Sequence, residues 1–495
     1  MFGIGRGINR MAPATTPVTV ETMQEITNML RQEQYPRVQE TVVSLLEENP
    51  AIAQLWVFLA EALEHLNKKS EAWACYERAW ILDPAAAWAP ATKERLKSHL
   101  NGRIPKWLNS LLAVPAVSVS AAMIVKNEAA TIADAVKQLL KATDEVVVVD
   151  TGSDDDTVAL AREAGAKVFF HTWQDDFGAA RNEALSHVTG DWVLFVDGDE
   201  VLDDEDVYVP RVISGLFSHQ DPPFIFRIVQ VNHMGDTIEP NYDMSRLFPT
   251  RFGLRWWGRI HEQIGPPEGG VFATVYNRPV VRIRLHHSGY EPEVMLQKKK
   301  LDRNIELLRK TVEEDPGDVA SWGFLGREYY LVGKLEEAVR ALYQAESLAA
   351  GNPNYGRVPE VRSYLTEALI KLDRMEEALQ VTKRMVKDMP QFPGGWYLKG
   401  RVELTIAVKM LDEAKVSFAQ SRDQAPSYRG IVSYDSAIPG FRSIVGLADV
   451  AKLQGRLNDA VTLYKKALEA NPGAKEVEAQ IKYLEAQSRQ ILQRS

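Results

Sequence analysis

Cysteine is almost absent from this chain: Cys75 is the single one in 495 residues. No disulfide can form within the chain, which fits a reducing cytosol. Cys75 falls on an expected helix and reads as a small core residue. A surplus of positive charge is missing too. The 58 Lys and Arg face 67 Asp and Glu, for a formal net charge of −9. That balance excludes a dedicated nucleic-acid binder, which would be basic. Long apolar runs are also lacking. Met1 to Thr22 carries Arg6 and Arg10 with no apolar segment behind them, so it does not read as a secretory signal. Leu108 to Val125 is uncharged over 18 residues. Asn109, Ser110, Pro115, Ser118 and Ser120 divide it into a helix end, a linker and a strand rather than a membrane span. The expectation is a cytoplasmic chain without a transmembrane segment. Its length implies roughly two to four domains rather than one core.

What is present first is a repeat. Pro50 and Pro84 stand 34 residues apart, each closing an amphipathic helix. Between them lie Trp56, Leu59, Ala60, Leu63, Ala72, Tyr76 and Ala79. This is the large, small and aromatic spacing of the tetratricopeptide hairpin. Small Ala60, Ala72 and Ala79 let two helices approach, Trp56 and Tyr76 fill the gaps, and proline stops the second helix. The frame recurs in Trp322, Leu325, Gly326, Tyr329, Ala338 and Ala345, and in Leu365, Leu369, Ala378 and Pro390. Trp396, Gly400, Ala414, Phe418 and Pro426 predict a third hairpin, with two extra residues in its turn. Leu447, Ala448, Ala451, Ala460, Tyr464, Ala467 and Pro472 predict a fourth. Residues 19–50 read as a degenerate first repeat, and Glu293 to Pro316 as half of one.

Between these arrays the texture changes. Apolar β runs at Val117–Val125, Asp144–Asp150, Ala166–Phe170 and Trp192–Val196 alternate with helical patterns at Ala129–Lys141, Asp156–Ala164 and Gly178–Val188. Strands alternating with helices of that length predict a parallel α/β sheet. Beyond Val201, Phe224–Val231, Arg246–Phe248 and Val280–Leu285 predict mixed strands among loops. The expected organisation is a tail at 1–18, repeats and linker at 19–115, an α/β domain at 116–292 and repeats at 293–495. The fold class is therefore α/β plus all-α.

Polar motifs come after each expected strand: Lys126-Asn127-Glu128, then Asp150-Thr151-Gly152-Ser153-Asp154, then Trp173 to Phe177 leading to Arg181-Asn182, then Asp197-Gly198-Asp199-Glu200. No Gly-x-Gly-x-x-Gly comes after the first strand, which disfavours a dinucleotide-binding domain. Ligands of open α/β sheets bind beyond the carboxyl ends of strands. Two carboxylates there can hold a hard divalent cation, and the cation a diphosphate. Asp154/Asp156 and Asp204/Asp206 repeat the spacing. The first pair reads as helix-capping and the second as solvated.

As an ordered set, Met-Ile-Val-Lys-Asn-Glu, Val-Val-Asp-Thr-Gly-Ser-Asp, Ala-Arg-Asn and Asp-Gly-Asp resemble the family 2 glycosyltransferases of the A-type (GT-A) fold. The similarity extends to bacterial members that carry tetratricopeptide repeats, among them protein and peptide glycosyltransferases. It covers roughly residues 118–290. The resemblance implies that Asp150 contacts the uracil or ribose of a nucleotide sugar, with helix capping as the other reading and Ser153 or Asp154 the better caps. Glu128 would reach the base, or stabilise the first turn of the next helix. Arg181 would meet phosphate or uracil oxygens, or form a surface ion pair with Asp175 or Asp176. Asp197 would face the ribose and Asp199 a Mn²⁺ or Mg²⁺ ion, with His287 of His286-His287-Ser288-Gly289-Tyr290 as a further ligand, or else a hydrogen-bonded core histidine. Adjacent histidines on a strand face opposite ways, so one of the two serves. The general base is expected in Gly258-Arg259-Ile260-His261-Glu262, with Glu262 ahead of His261. The Glu-Asp pair of the wider family is absent there. Trp256 or Trp257 would stack on the sugar, or fill the core.

The implied activity is inverting, metal-dependent transfer of a sugar from a nucleotide-sugar donor, UDP-linked given the uracil contact implied for Asp150. The implied acceptor is a protein or peptide docked on the repeats. Transfer to an envelope saccharide of the lipopolysaccharide type and a non-catalytic repeat scaffold are the alternatives.

Overall fold

A computed structural model describes residues 18–99, 102–234, 237–288, 293–428 and 432–492. Of the expected tail, 1–17 lie outside the described residues, as do Gly289 and Tyr290. The strands are β1 (Val119–Val125), β2 (Glu145–Asp150), β3 (Lys167–Phe170), β4 (Trp192–Phe195), β5 (Glu200–Leu202), β6 (Phe226–Met234), β7 (Thr237–Pro249), β8 (Arg255–Trp257), β9 (Gln263–Gly265) and β10 (Val280–Ser288). Eight of them form one sheet in the order β3-β2-β1-β4-β7-β6-β10-β5, while β8 and β9 form a separate antiparallel ribbon.

The first four strands of that order run parallel. β7 turns antiparallel beside β4, β6 antiparallel beside β7, and β5 antiparallel beside β10. The strand pattern predicted such a mixed sheet, and the arrangement is GT-A-like, as the resemblance implied. Period-2 alternation sends neighbours to opposite faces. Met123, Val148 and Leu194 join Ile132, Val136 and Leu139 of helix Ile132–Ala142 in one core. Ala122, Val149 and Val193 join Ala184 of helix Phe177–Ser186, Phe248 and Trp256 in the other. Trp256 is therefore a core residue, 4 % exposed.

The chain divides into two compact units, Met1–Ser321 and Trp322–Ser495. In the first unit, helices Val20–Arg31, Tyr35–Glu48, Ala53–His65 and Lys69–Leu82 form two hairpins with their own core, which contains Cys75. That array is fixed to the sheet. Arg282 of β10 donates to Glu77 Oε1 at 2.6 Å and lies 4.2 Å from the centroid of the Trp80 ring. Asp206 takes part in the same junction, which corrects its reading as solvated. It is fully buried and accepts from Arg282 Nε at 3.0 Å and Arg284 Nε at 2.8 Å. A carboxylate can leave water there because two guanidinium groups replace it.

The second unit holds further hairpins, Leu335–Ala349 following Val319–Leu331, Val358–Lys371 with Met375–Asp388, and Ser443–Leu453 with Leu457–Ala470. The expected third hairpin does not form. Residues 393–424 are one continuous helix, Pro393–Gln424. The reason lies in the turn. The hairpins after the degenerate first one, which turns on Glu33, reverse on a left-handed Asn, Gly or Asp: Asn67, Gly333, Asp373 and Gly455. The equivalent stretch here, Thr405-Ile406-Ala407-Val408-Lys409, holds no Gly, Asn or Asp. Forcing Ala407 left-handed costs about 1–2 kcal/mol, so the helix runs on. No helix among the described residues is long and apolar enough to cross a membrane.

Candidate active site

The carboxyl ends of β1, β2 and β4 lie side by side, because Val125 pairs with Asp150 and Ala122 with Phe195. The three motifs after them therefore share one rim of the sheet. Asp197-Gly198-Asp199 leaves β4 directly against the start of the loop after β1. A Cβ on Gly198 would stand 2.6 Å from Glu128 Cγ, so glycine separates the two aspartates to admit Glu128. Thr131 Oγ1 fastens the loop by donating to Gly198 O at 2.7 Å.

The two aspartates have different surroundings. Asp197 Oδ1 accepts from Arg181 Nη2 at 2.8 Å and from Arg246 Nη1 at 3.1 Å, and Oδ2 meets Arg246 Nη2. Burial pushes the Asp197 carboxyl up, but the Arg246 and Arg181 charges outweigh it and hold the group well below the usual carboxylate range. Asp199 pairs with no arginine among the described residues. Its partner is His287, whose Nε2 lies 3.0 Å from Asp199 Oδ2. This hydrogen bond raises the His287 pKa against the opposing effect of burial. β5 pairs Glu200 with His287, which brings the histidine to the motif. His286 points the other way, to Asp203 Oδ2 at 2.9 Å and His233 at 2.9 Å. The alternation expected of neighbouring strand residues is what the structure has.

Arg181 joins two distant parts of the chain. Its Nε donates to Glu262 Oε1 at 2.5 Å while Nη2 holds Asp197. The guanidinium lies 4.9 Å from the Trp256 ring centroid, and its Nη1 is buried without a hydrogen-bond partner. The reading as a surface pair with Asp175 or Asp176 is thereby corrected. Asp175 pairs with Lys310 at 2.7 Å, and Asp176 caps helix Phe177–Ser186 by accepting from Ala179 N at 2.8 Å. Asn182 grips the Trp256 backbone in both directions, each bond 2.9 Å. A Cβ on Gly178 would come 2.5 Å from Gly258 O, so the segment carrying Glu262 rests on that helix start. His261 holds the chain there in a left-handed conformation, φ 53°. The Gly-Ala-Ala-Arg-Asn run thus positions Glu262 by contact. The other oxygen of Glu262 takes no hydrogen bond among the described residues.

Other expected residues are placed less centrally. Asp150 is 3 % exposed, and its Oδ1 accepts from Gly152 N and Ser153 N, both at 3.1 Å. It shapes its own loop, so a ligand contact would compete with those amides. Asp156 is the N-cap residue of helix Thr157–Glu163 by position, but neither it nor Ser153 or Asp154 supplies a side-chain capping bond to the helix. Asp155 accepts from Thr157 N at 2.9 Å. Trp257 is half-buried, with Nε1 on Pro266 O at 2.8 Å. Glu128 is half-buried, and burial together with the charges of Asp199, Asp155 and Asp197 pushes its pKa up.

Arg246 and Glu200 complete the cluster, and the chemical reading of the sequence missed Arg246. It sits on β7, is 1 % exposed, and lies 3.9 Å from Glu200 Oε1. The available signal was an arginine heading the apolar strand run Arg246-Leu247-Phe248, since a buried arginine needs acids near it. Glu200 is 1 % exposed, and burial pushes its pKa up against the pull of Arg246.

A divalent cation fits this rim in a restricted way. Among the described residues no group of three or more His, Cys, Asp or Glu side chains is arranged to hold a metal. Asp199 and His287 form a converging pair, part-exposed at 39 % and 28 %. Asp197 is occupied by two arginines. Two protein donors suit an ion of the Mg²⁺ type, which keeps waters and takes phosphate oxygens.

The sequence comparisons agree with this geometry. Residues 120–270 match the model of glycosyl transferase family 2, and residues 441–473 that of a tetratricopeptide repeat. A TPR repeat-containing protein of Synechococcus elongatus is 32 % identical over 274 residues, 54 % of this chain and 64 % of that one. The prophage-derived glycosyltransferase SunS of Bacillus subtilis is 26 % identical over 261 residues, 52 % of this chain and 58 % of that one. The chain thus spans less than two thirds of either relative. The S. aureus TarS 1–349 structure in complex with UDP-GlcNAc overlaps 56 % of this chain and 93 % of that one, at 15 % identity and a TM-score of 0.33. The α/β region is a family 2 glycosyl transferase domain, in a chain that also carries tetratricopeptide repeats.

Proposed function

We propose that the protein is an inverting glycosyltransferase that moves a sugar from a nucleotide donor to a polypeptide side chain. The observation that carries the reading is the Arg181 bridge, which ties Glu262 to Asp197 beside the Asp199–His287 pair. One carboxylate of the Asp-Gly-Asp is held between arginines, and the other is open toward solvent.

In this mechanism the rim of β1, β2 and β4 receives the nucleoside diphosphate, with Glu128 and Asp150 at the nucleoside and Asp197 at the ribose. A Mn²⁺ or Mg²⁺ ion held by Asp199 and His287 would offset the charge that develops on the departing diphosphate. Glu262 is oriented by Arg181 and takes the proton of the acceptor hydroxyl or thiol through its second oxygen. The acceptor then attacks the anomeric carbon from the face opposite the diphosphate, and the configuration inverts. Arg181 and Arg246 fix Asp197, so the loop needs no rearrangement during the step. The repeats support a polypeptide acceptor, because helical solenoids present extended concave surfaces.

The test is incubation of the purified chain with Mn²⁺ and a panel of nucleotide sugars. Slow hydrolysis of one donor is expected, and Asp199→Ala lowers it about 10²–10³-fold. The absence of both turnover and binding with every donor overturns the reading.

A further inference from the structure

We infer that helix Pro393–Gln424 pairs antiparallel with the same helix of a second copy of this chain, giving a two-fold dimer built from exchanged repeat halves. Each closed hairpin after the degenerate first one, which turns on Glu33, has a left-handed turn residue with one compact position seven residues before it and another five after it. Ala60 and Ala72 flank Asn67, Gly326 and Ala338 flank Gly333, Thr366 and Ala378 flank Asp373, and Ala448 and Ala460 flank Gly455. All of these flanking residues are buried. At Gly326 the fit is so close that a Cβ would overlap Leu342 Cγ. Small residues are there to let the two helices of one hairpin touch.

Helix Pro393–Gln424 keeps this frame with two extra residues, Gly400 seven before Ala407 and Ala414 seven after it, but without its partner. Trp396 Nε1 donates to Pro390 O at 2.9 Å, as Trp56 Nε1 does to Pro50 O at 2.8 Å. Its flanks pack as a repeat should: Leu398 and Val402 are buried, and Phe418 lies against Gly446 of the following helix. The surface between the two halves of the repeat is open, within a helix that is largely exposed from Glu403 on. Gly400 has nothing within 4 Å of a Cβ built on it. Trp396 is 52 % exposed, whereas Trp56 is fully buried. Leu404 is 67 % exposed, Val408 50 % and Met410 63 %. Within one straight helix Gly400 and Ala414 are about 21 Å apart and cannot meet.

A second copy supplies the missing half by symmetry. Antiparallel pairing centred on Ala407 sets Gly400 opposite Ala414, Trp396 opposite Phe418, Leu404 opposite Met410 and Arg401 opposite Glu413. The contact is self-complementary, as a two-fold interface must be, and exchange of identical elements is a low-cost route to a dimer. No other partner is specified by the repeat's own frame.

The test uses the full chain carrying Gly400→Cys and Ala414→Cys together, with each single variant as control. Light scattering after gel filtration should give twice the 55.6 kDa chain mass. A short bis-maleimide should link two chains in the double variant and not in the single ones. Leu404→Glu with Met410→Glu should return the mass to one chain while circular dichroism keeps its helical signal. A monomer with an intrachain link would mean that the hairpin closes on itself. A monomer without a link would mean that the helix stands alone, and a dimer without a link that the chain associates elsewhere. Each of these three results overturns the inference.

Discussion

Asp197 and Asp206 lie beside the same eight-stranded sheet, and each is gripped by two arginines. Arg181 and Arg246 hold the first, Arg282 and Arg284 the second. Their settings differ. The Asp206 side chain is fully buried, and the junction is closed by Trp80 and Glu77 of the N-terminal helices. The Asp197 side chain is 30 % exposed and is followed by Asp199, which among the described residues has no cationic partner except His287. An aspartate between arginines is therefore no mark of an active site. What distinguishes the two clusters is an open side and acids left for a ligand to neutralise.

The largest expected effect comes from the sealed cluster. Asp206→Ala removes the acid shared by two guanidinium groups in a closed junction, leaving Glu77 to Arg282 and Asp203 and Glu205 to Arg284, and should cost about 3 kcal/mol in urea unfolding. Donor turnover by the molecules that remain folded should be unchanged. Asp199→Ala should do the reverse, lowering turnover about 10²–10³-fold with little change in the urea midpoint. If both variants lose stability and neither loses turnover selectively, the distinction between the clusters fails.

Glu145 sharpens the contrast as a purely structural acid. Burial pushes its pKa up, but hydrogen bonds from Lys167, Ser120 and Thr189 prevail and bring it down to about 2 from 4.5. Because the folded value is depressed, its contribution is full above the unfolded value and is lost as the pH falls from about 4.5 to about 2. Glu145→Gln should cost about 1–3 kcal/mol at neutral pH, and the penalty should shrink in acid unfolding titrations.

The smallest effect concerns His287. Its pKa is raised, so the protonated pair with Asp199 stabilises the fold below the unfolded value of about 6.5, and this is lost as the pH rises through the folded value. Cation binding needs the neutral imidazole. Mn²⁺-dependent donor binding should therefore increase with pH across that range, and His287→Asn should flatten the dependence.

The strand ends were legible because buried parallel strands are continuous apolar runs, and the residues just past the runs of β1, β2 and β4 share one rim. Asp197, Asp199 and Arg181 were picked out from 495 residues by their place in the ordered motifs, Glu262 and His287 through the family resemblance, and the fold brings the five together. Arg246 was not, since a charged residue heading a short strand looks the same whether it faces water or a buried acid. Asp206 failed for the same reason: its partners Arg282 and Arg284 lie 76 and 78 residues away. The third hairpin misled because its helix-packing positions are intact. Only the missing left-handed residue near Ala407 distinguishes it, and turn chemistry is a weaker signal than periodicity.

If the open aspartate of the Asp-Gly-Asp handles a nucleoside diphosphate, its removal should uncouple nucleotide binding from the metal. Calorimetric titration of UDP into the wild-type chain and into Asp199→Ala, with and without Mn²⁺, tests this most directly. Mn²⁺-dependent binding to the wild type and a loss of that dependence in the variant are the predicted result. Equal, metal-enhanced binding to both proteins would contradict it.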